Sequence, residues 1–131
     1  MVVLLASGCG ESVAPKVDPA IGGYALTSVN LKPLPASVAA TGGISSSTAL
    51  NGAIFLEKNG TYTGTVQFQI VRGTVTTVEP YGVPDGIWLR VNDNTLELRP
   101  NTGSETSVRG ITTATTLNVY AQGLNYGYTR Q

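Results

Sequence analysis

The chain has 131 residues, with eight basic and eight acidic side chains, no histidine and one cysteine. Charged residues make up 12%, about half the usual share, and they cancel, which removes both a basic face for nucleic acid and a polybasic patch for membrane headgroups. The lack of histidine excludes Ser-His and Cys-His nucleophilic pairs and the commonest zinc ligand.

At the N-terminus, Leu5-Ala6-Ser7-Gly8-Cys9 reads as a lipobox, with small residues just before a cysteine. A diacylglyceryl group on Cys9 would contribute about 0.8 kcal/mol per buried methylene, and acylation of the new amino terminus would strengthen the hold. Met1-Val2-Val3-Leu4-Leu5 is short for the apolar core of a secretory signal and carries no basic residue ahead of it. Two expectations follow: a start further upstream, or an accidental likeness in a short apolar N-terminus. The polar, proline-bearing stretch after Cys9 favours the first, because a tether between membrane and domain has that composition. The expected organisation is a truncated signal remnant over 1–8, a flexible tether over 9–21 and one domain over 22–131. No apolar run approaches the roughly 20 residues that cross a bilayer as a helix.

The domain opens with a strand over Gly23 to Val29, and Ser37 to Ala40 is a weaker candidate. Ser45-Ser46-Ser47-Thr48 reads as a loop. Ala53 to Lys58 and Thr61 to Ile70 form the clearest pair, joined at Asn59-Gly60, a dipeptide that takes the positive φ of a tight hairpin. In the second of these strands Tyr62, Val66, Phe68 and Ile70 share one face, and Thr61, Thr63, Thr65, Gln67 and Gln69 the other. That period of two marks a strand buried on one side. Val75 to Val78 adds a short strand inside Val71 to Gly86, a segment that fits no simple hairpin.

Further on, Ile87, Leu89 and Val91 alternate with Trp88 and Arg90, and are expected to point inward. A turn at Asn92-Asp93-Asn94 precedes Leu96 and Leu98, which alternate with Glu97 and Arg99. The oxygens of that turn could be read as calcium ligands, but Asn and Asp suit a hairpin turn for backbone reasons alone. Ser107 to Thr113, Thr116 to Ala121 and Leu124 to Thr129 complete the series. The expected fold is all-β: a small antiparallel meander barrel of about eight strands, with a β-sandwich as the alternative.

Gly23-Tyr24-Ala25-Leu26-Thr27-Ser28-Val29-Asn30, followed by Pro33-Leu34-Pro35, resembles the opening of small bacterial lipocalin-like lipoproteins. The hairpin at Asn59 to Tyr62, the turn at Asp93 to Leu96 and the closing Tyr128-Thr129-Arg130 are similar to later parts of that family. The resemblance implies an up-and-down barrel on a lipid anchor in the bacterial envelope, on its periplasmic or extracellular side, and carries almost no chemistry with it.

No nucleophile elbow, phosphate loop or dinucleotide fingerprint occurs, so neither a catalytic residue, a cofactor nor a metal site is assigned. Trp88, Tyr120 and Phe55 fall on faces opposite the expected core, and Tyr81 lies in the proline-bearing segment. Together they are the candidate partner contacts. Three functions stay open: a non-enzymatic interaction module on an envelope protein, a carrier of a small apolar ligand, and a protease-inhibitor-like lipoprotein using residues 11–20 as an arm. A barrel with free internal space would favour the carrier, and a filled one with an apolar outer stripe would favour docking.

Overall fold

Asn59 and Gly60 build the turn on which the architecture depends. Gly60 has φ +90°, which a side chain would resist, and the Asn59 amide oxygen accepts from Thr61 N at 3.1 Å and Thr61 Oγ1 at 2.7 Å. The turn joins the two longest strands, β4 (Ser46–Leu56) and β5 (Thr61–Arg72), which pair along almost their whole length with one irregularity between Ala49 and Asn51. The computed structural model describes residues 17–81, 85–101, 107–121 and 123–131. The lipidation candidate Cys9 and most of the expected tether lie outside them.

The other strands are β1 (Gly22–Val29), β2 (Lys32–Pro33), β3 (Ala36–Val38), β6 (Val75–Tyr81), β7 (Gly86–Asn92), β8 (Thr95–Pro100), β9 (Val108–Thr112), β10 (Thr116–Ala121) and β11 (Leu124–Arg130). All pairings are antiparallel, and the described residues contain no helix. Eight strands close a ring in the order β1-β4-β5-β7-β8-β9-β10-β11 and back to β1, so each neighbours its successor once β2, β3 and β6 are set aside. The expected meander barrel is therefore the fold.

The hairpin β4–β5 outruns the ring. Only Ala53–Leu56 of β4 pair with β1, and only Thr61 and Tyr62 of β5 pair with β7. Beyond that level β3 pairs with Ser47–Ala49, and β6 folds back on Val66–Arg72 through Gly73-Thr74, giving a four-stranded flap β3-β4-β5-β6 at one end. This accounts for Val71 to Tyr81 of the segment that fitted no simple hairpin. It also corrects the loop expected at the serine run, since Ser46, Ser47 and Thr48 belong to β4. Pro80 lies in β6, which pairs only with β5 among the described residues, and an edge strand tolerates its missing N–H.

Alternation along β5 holds: Tyr62, Val66, Phe68 and Ile70 are buried while Thr61, Thr63, Thr65 and Gln69 are exposed. Tyr24, Leu26, Val29, Ile54, Leu56, Leu96, Leu98, Leu117, Val119, Tyr126 and Tyr128 join them in one continuous core. At Gly86 the β8 backbone comes so close that a Cβ would lie 2.0 Å from Arg99 O, which leaves glycine as the only fit.

Along β7 the structure overturns the expected parity. Trp88 is 7% exposed and points into the barrel, while Ile87, Leu89 and Val91 are 41%, 40% and 59% exposed. The indole is the largest side chain of the strand, and its Nε1 donates to Glu57 O at 3.0 Å, so burial leaves no polar atom stranded. Trp88 N also donates to Gly60 O at 2.9 Å, which fastens the β4–β5 turn to β7. Period two says which residues share a face; it does not say which face is inside.

Candidate functional site

The two ends of the barrel are built differently. At the lower end, where β1 starts and β11 finishes, residues 18–21 run across the mouth as a strap. Asp18 takes a forked pair of bonds from Arg90, Nε to Oδ2 at 2.8 Å and Nη2 to Oδ1 at 2.6 Å, and its Oδ1 also accepts from Ala20 N at 2.8 Å. Arg90 Nη1 reaches Asn92 O and Asp93 O, both at 2.9 Å. On the far side Arg130 donates to Pro19 O, to Ile21 O at 2.9 Å, to Ala114 O at 3.1 Å and to the Tyr24 hydroxyl at 2.8 Å, and its guanidinium lies 4.8 Å from the Tyr24 ring centroid. Tyr24 Oη in turn donates to Ala20 O at 2.7 Å.

Arg90 is on β7 and Arg130 on β11, four places apart in an eight-strand ring, so the strap is held at opposite points of the rim. Ala20, at 1% exposure, plugs the mouth. The last four residues of the segment expected to be a flexible tether are thus part of the folded domain. The hydrogen bonds from Arg90 hold the Asp18 carboxyl below its ordinary range, against the opposing effect of burial. Burial raises the Tyr24 hydroxyl, which keeps it protonated as a donor. Arg90 and Arg130 make four hydrogen bonds each, and the chemistry of this lattice is structural.

The upper end carries the flap and the turn Asn30-Leu31. Both turn residues have positive φ, 53° and 69°, in the left-handed region that suits asparagine and strains leucine. Asn30 ties the turn to β11, its N–H donating to Asn125 O at 2.8 Å and its Oδ1 accepting from Asn125 N at 2.9 Å. Leu31 is 84% exposed.

Between the flap and the start of β11 lies an open groove of about 260 Å³. Val38 and Ile44 form one side, Phe68 and Ile70 the floor, Leu124 and Tyr126 the other side. Tyr81 closes one edge, its ring 5.8 Å from that of Phe68 and nearly perpendicular to it. Glu79 orients Tyr81 by accepting from its hydroxyl at 2.8 Å, and also accepts from Arg72 Nη1 at 2.5 Å and Thr77 Oγ1 at 2.6 Å. Those bonds, led by the one from Arg72, pull the Glu79 carboxyl down to about 2. Tyr126 is buried, and desolvation alone pushes its hydroxyl up to about 12.

A third feature lies on the barrel wall. Ile87, Leu89 and Val91 form an apolar stripe along the outer face of β7. On β8, Arg99 faces Ile87 and Glu97 faces Leu89, and these two form an ion pair at 3.1 Å that borders the stripe.

The aromatic residues named from the sequence do not assemble. Trp88 is core. Phe55 is exposed on β4 and lies across Gly23, where a Cβ would come within 2.8 Å of its ring. Tyr120 is exposed on β10 beneath the Arg109 guanidinium, 5.4 Å from the ring centroid. Tyr81 belongs to the groove. The sequence signal for the stripe was present as Ile87, Leu89 and Val91 but was assigned to the wrong side; the groove depends on contacts between β3, β5, β6 and β11 that no local pattern announces. No group of three acidic or cysteine side chains that could hold a metal ion occurs among the described residues. Compared with known protein families, curated proteins and solved structures, the chain matches none.

Proposed function

We propose that this chain is a non-catalytic, lipid-anchored protein of the bacterial envelope that works as an interaction module, docking a partner protein through the outer face of β7. The observation that carries this reading is the pairing of a filled barrel with an apolar wall stripe: Tyr24, Tyr62, Trp88, Tyr126 and Tyr128 occupy the interior, while Ile87, Leu89 and Val91 face solvent between polar neighbours. Exposed apolar groups rimmed by polar ones are a common basis for protein contact. The anchor rests on the sequence at Cys9 and on the likeness to small lipocalin-like lipoproteins, for which a meander barrel is a compatible fold.

Anchoring also gives the domain an orientation. The described chain begins at Val17, beside the strap, and the stretch from Cys9 to there is about eight residues, a reach of at most roughly 28 Å. A lipid on Cys9 therefore keeps the strapped end toward the bilayer and the flap away from it, with the stripe running along the side.

Two measurements in one preparation test this. Metabolic labelling with a fatty acid should mark the native protein and leave Cys9→Ser unlabelled; an unlabelled native protein overturns the anchor. A photo-crosslinking residue at Leu89, in native envelopes, should give a discrete adduct that is lost when Ile87 and Val91 become threonine. Equal adducts from Leu89 and from exposed Thr129 overturn docking by the stripe.

A further inference from the structure

The groove at the flap end has the properties of a small-molecule site, and it lies away from the docking face, over the core residues Phe68, Ile70 and Tyr126. Its walls are aliphatic and aromatic, and no charged side chain lines it. Its volume of about 260 Å³ exceeds the roughly 150 Å³ that suffices for benzene and falls below that of most drug-sized pockets. One ring with a short substituent matches that space.

Polarity narrows the class further. Tyr126 is 1% exposed, lines the groove, and has no hydrogen bond to any described residue from its hydroxyl. That hydroxyl is not among the fully buried polar atoms, so water in the groove is its partner, and a ligand that displaces this water keeps the bond only if it brings an acceptor. Ser47, the other buried polar side chain of the groove, is also without a side-chain partner among the described residues. Tyr81, by contrast, spends its hydroxyl on Glu79, outside the wall that its ring forms.

We propose that this groove binds a small neutral ligand consisting of a single aromatic or alicyclic ring that bears one hydrogen-bond acceptor, such as a ketone or ester oxygen, which receives the Tyr126 hydroxyl. A carboxylate is excluded because no cation lines the site and desolvating the charge would go uncompensated. A plain hydrocarbon fits the walls but leaves the hydroxyl unpartnered. The flap supplies the selectivity: β3 and β6 are not barrel strands, and without them only the β5 and β11 walls would remain.

Amide NMR titration of the full chain with three probes of matched size tests the assignment. Acetophenone should shift the signals of Ile44, Ile70 and Leu124 saturably, ethylbenzene should bind about 3- to 10-fold more weakly, and benzoate should not bind. Tyr126→Phe should remove the advantage of acetophenone and leave ethylbenzene within about twofold. Ile44→Trp, on the loop before β4 and outside the barrel strands, should fill the groove and abolish both. Equal binding of acetophenone and ethylbenzene by the native chain, binding of benzoate, or saturable shifts elsewhere overturns the proposal. So does a protein adduct from a crosslinker at Ile44 in native envelopes when acetophenone gives no shift.

Discussion

The strapped end and the flap end of this barrel divide the polar chemistry of the chain between them in opposite ways. At the strap, two arginines and one aspartate meet three backbone carbonyls on one side and two on the other, and each guanidinium makes four hydrogen bonds. At the flap, the Tyr126 hydroxyl bonds no described residue and a leucine sits exposed in a left-handed turn. A lattice bonded in this way holds a structure together. Backbone strain weakens one, so it persists where stability is supplied elsewhere. The difference places a dense side-chain hydrogen-bond lattice at one end and an open apolar groove at the other.

Substitutions should separate the two regions by size and by sign. Trp88→Ala removes the ring that fastens β7 to the β4–β5 turn, and chemical denaturation should register a loss of about 3–5 kcal/mol. Leu89→Ala, one residue along the same strand, should cost less than about 1 kcal/mol because its side chain is already 40% exposed. Similar losses at the two positions would return the original parity and remove the stripe.

Acid should act on the strap first. The Asp18 carboxyl titrates lower in the folded protein than in the unfolded chain, so its contribution is present above the ordinary carboxylate value near 4 and is lost as pH falls through the folded-state value. Thermal melts between pH 5 and pH 2 should show a steeper decline for the native chain than for Asp18→Asn, which has no charge to lose. Parallel declines would mean that the Arg90 fork adds nothing to the strap. The groove should not follow this trend down to about pH 3, since Glu79 stays ionised until about 2 and continues to hold Tyr81.

A further effect should have the opposite sign. Leu31→Gly relieves a left-handed leucine that has little packing to lose, and the melting temperature should rise by the equivalent of about 1 kcal/mol. A fall would show that Leu31 packs on something and that the flap end is less permissive than its geometry indicates.

The strands, their alternation and most of their turns were legible locally. Asn59-Gly60 announced its hairpin, Tyr62 to Ile70 announced its buried face, and Leu96 with Leu98 and Leu117 with Val119 point inward as their pattern requires. The meander order follows from short connections between successive strands. These features depend on backbone geometry and on neighbours a few residues away, which is why a linear reading reaches them.

What lies inside along β7 was settled only by closure. Ile87, Leu89 and Val91 carry as strong an apolar signal as any inward set in the chain, yet an indole with a carbonyl waiting for it at Glu57, 31 positions earlier, takes the interior. The fold-back of β6, the strap between opposite rim positions and the groove under the flap have the same origin, since each joins residues far apart in the chain. Alternation specifies the period of a strand and leaves its sign undetermined; the sign comes from the side chain that fills the space and satisfies its polar atom when the sheet closes.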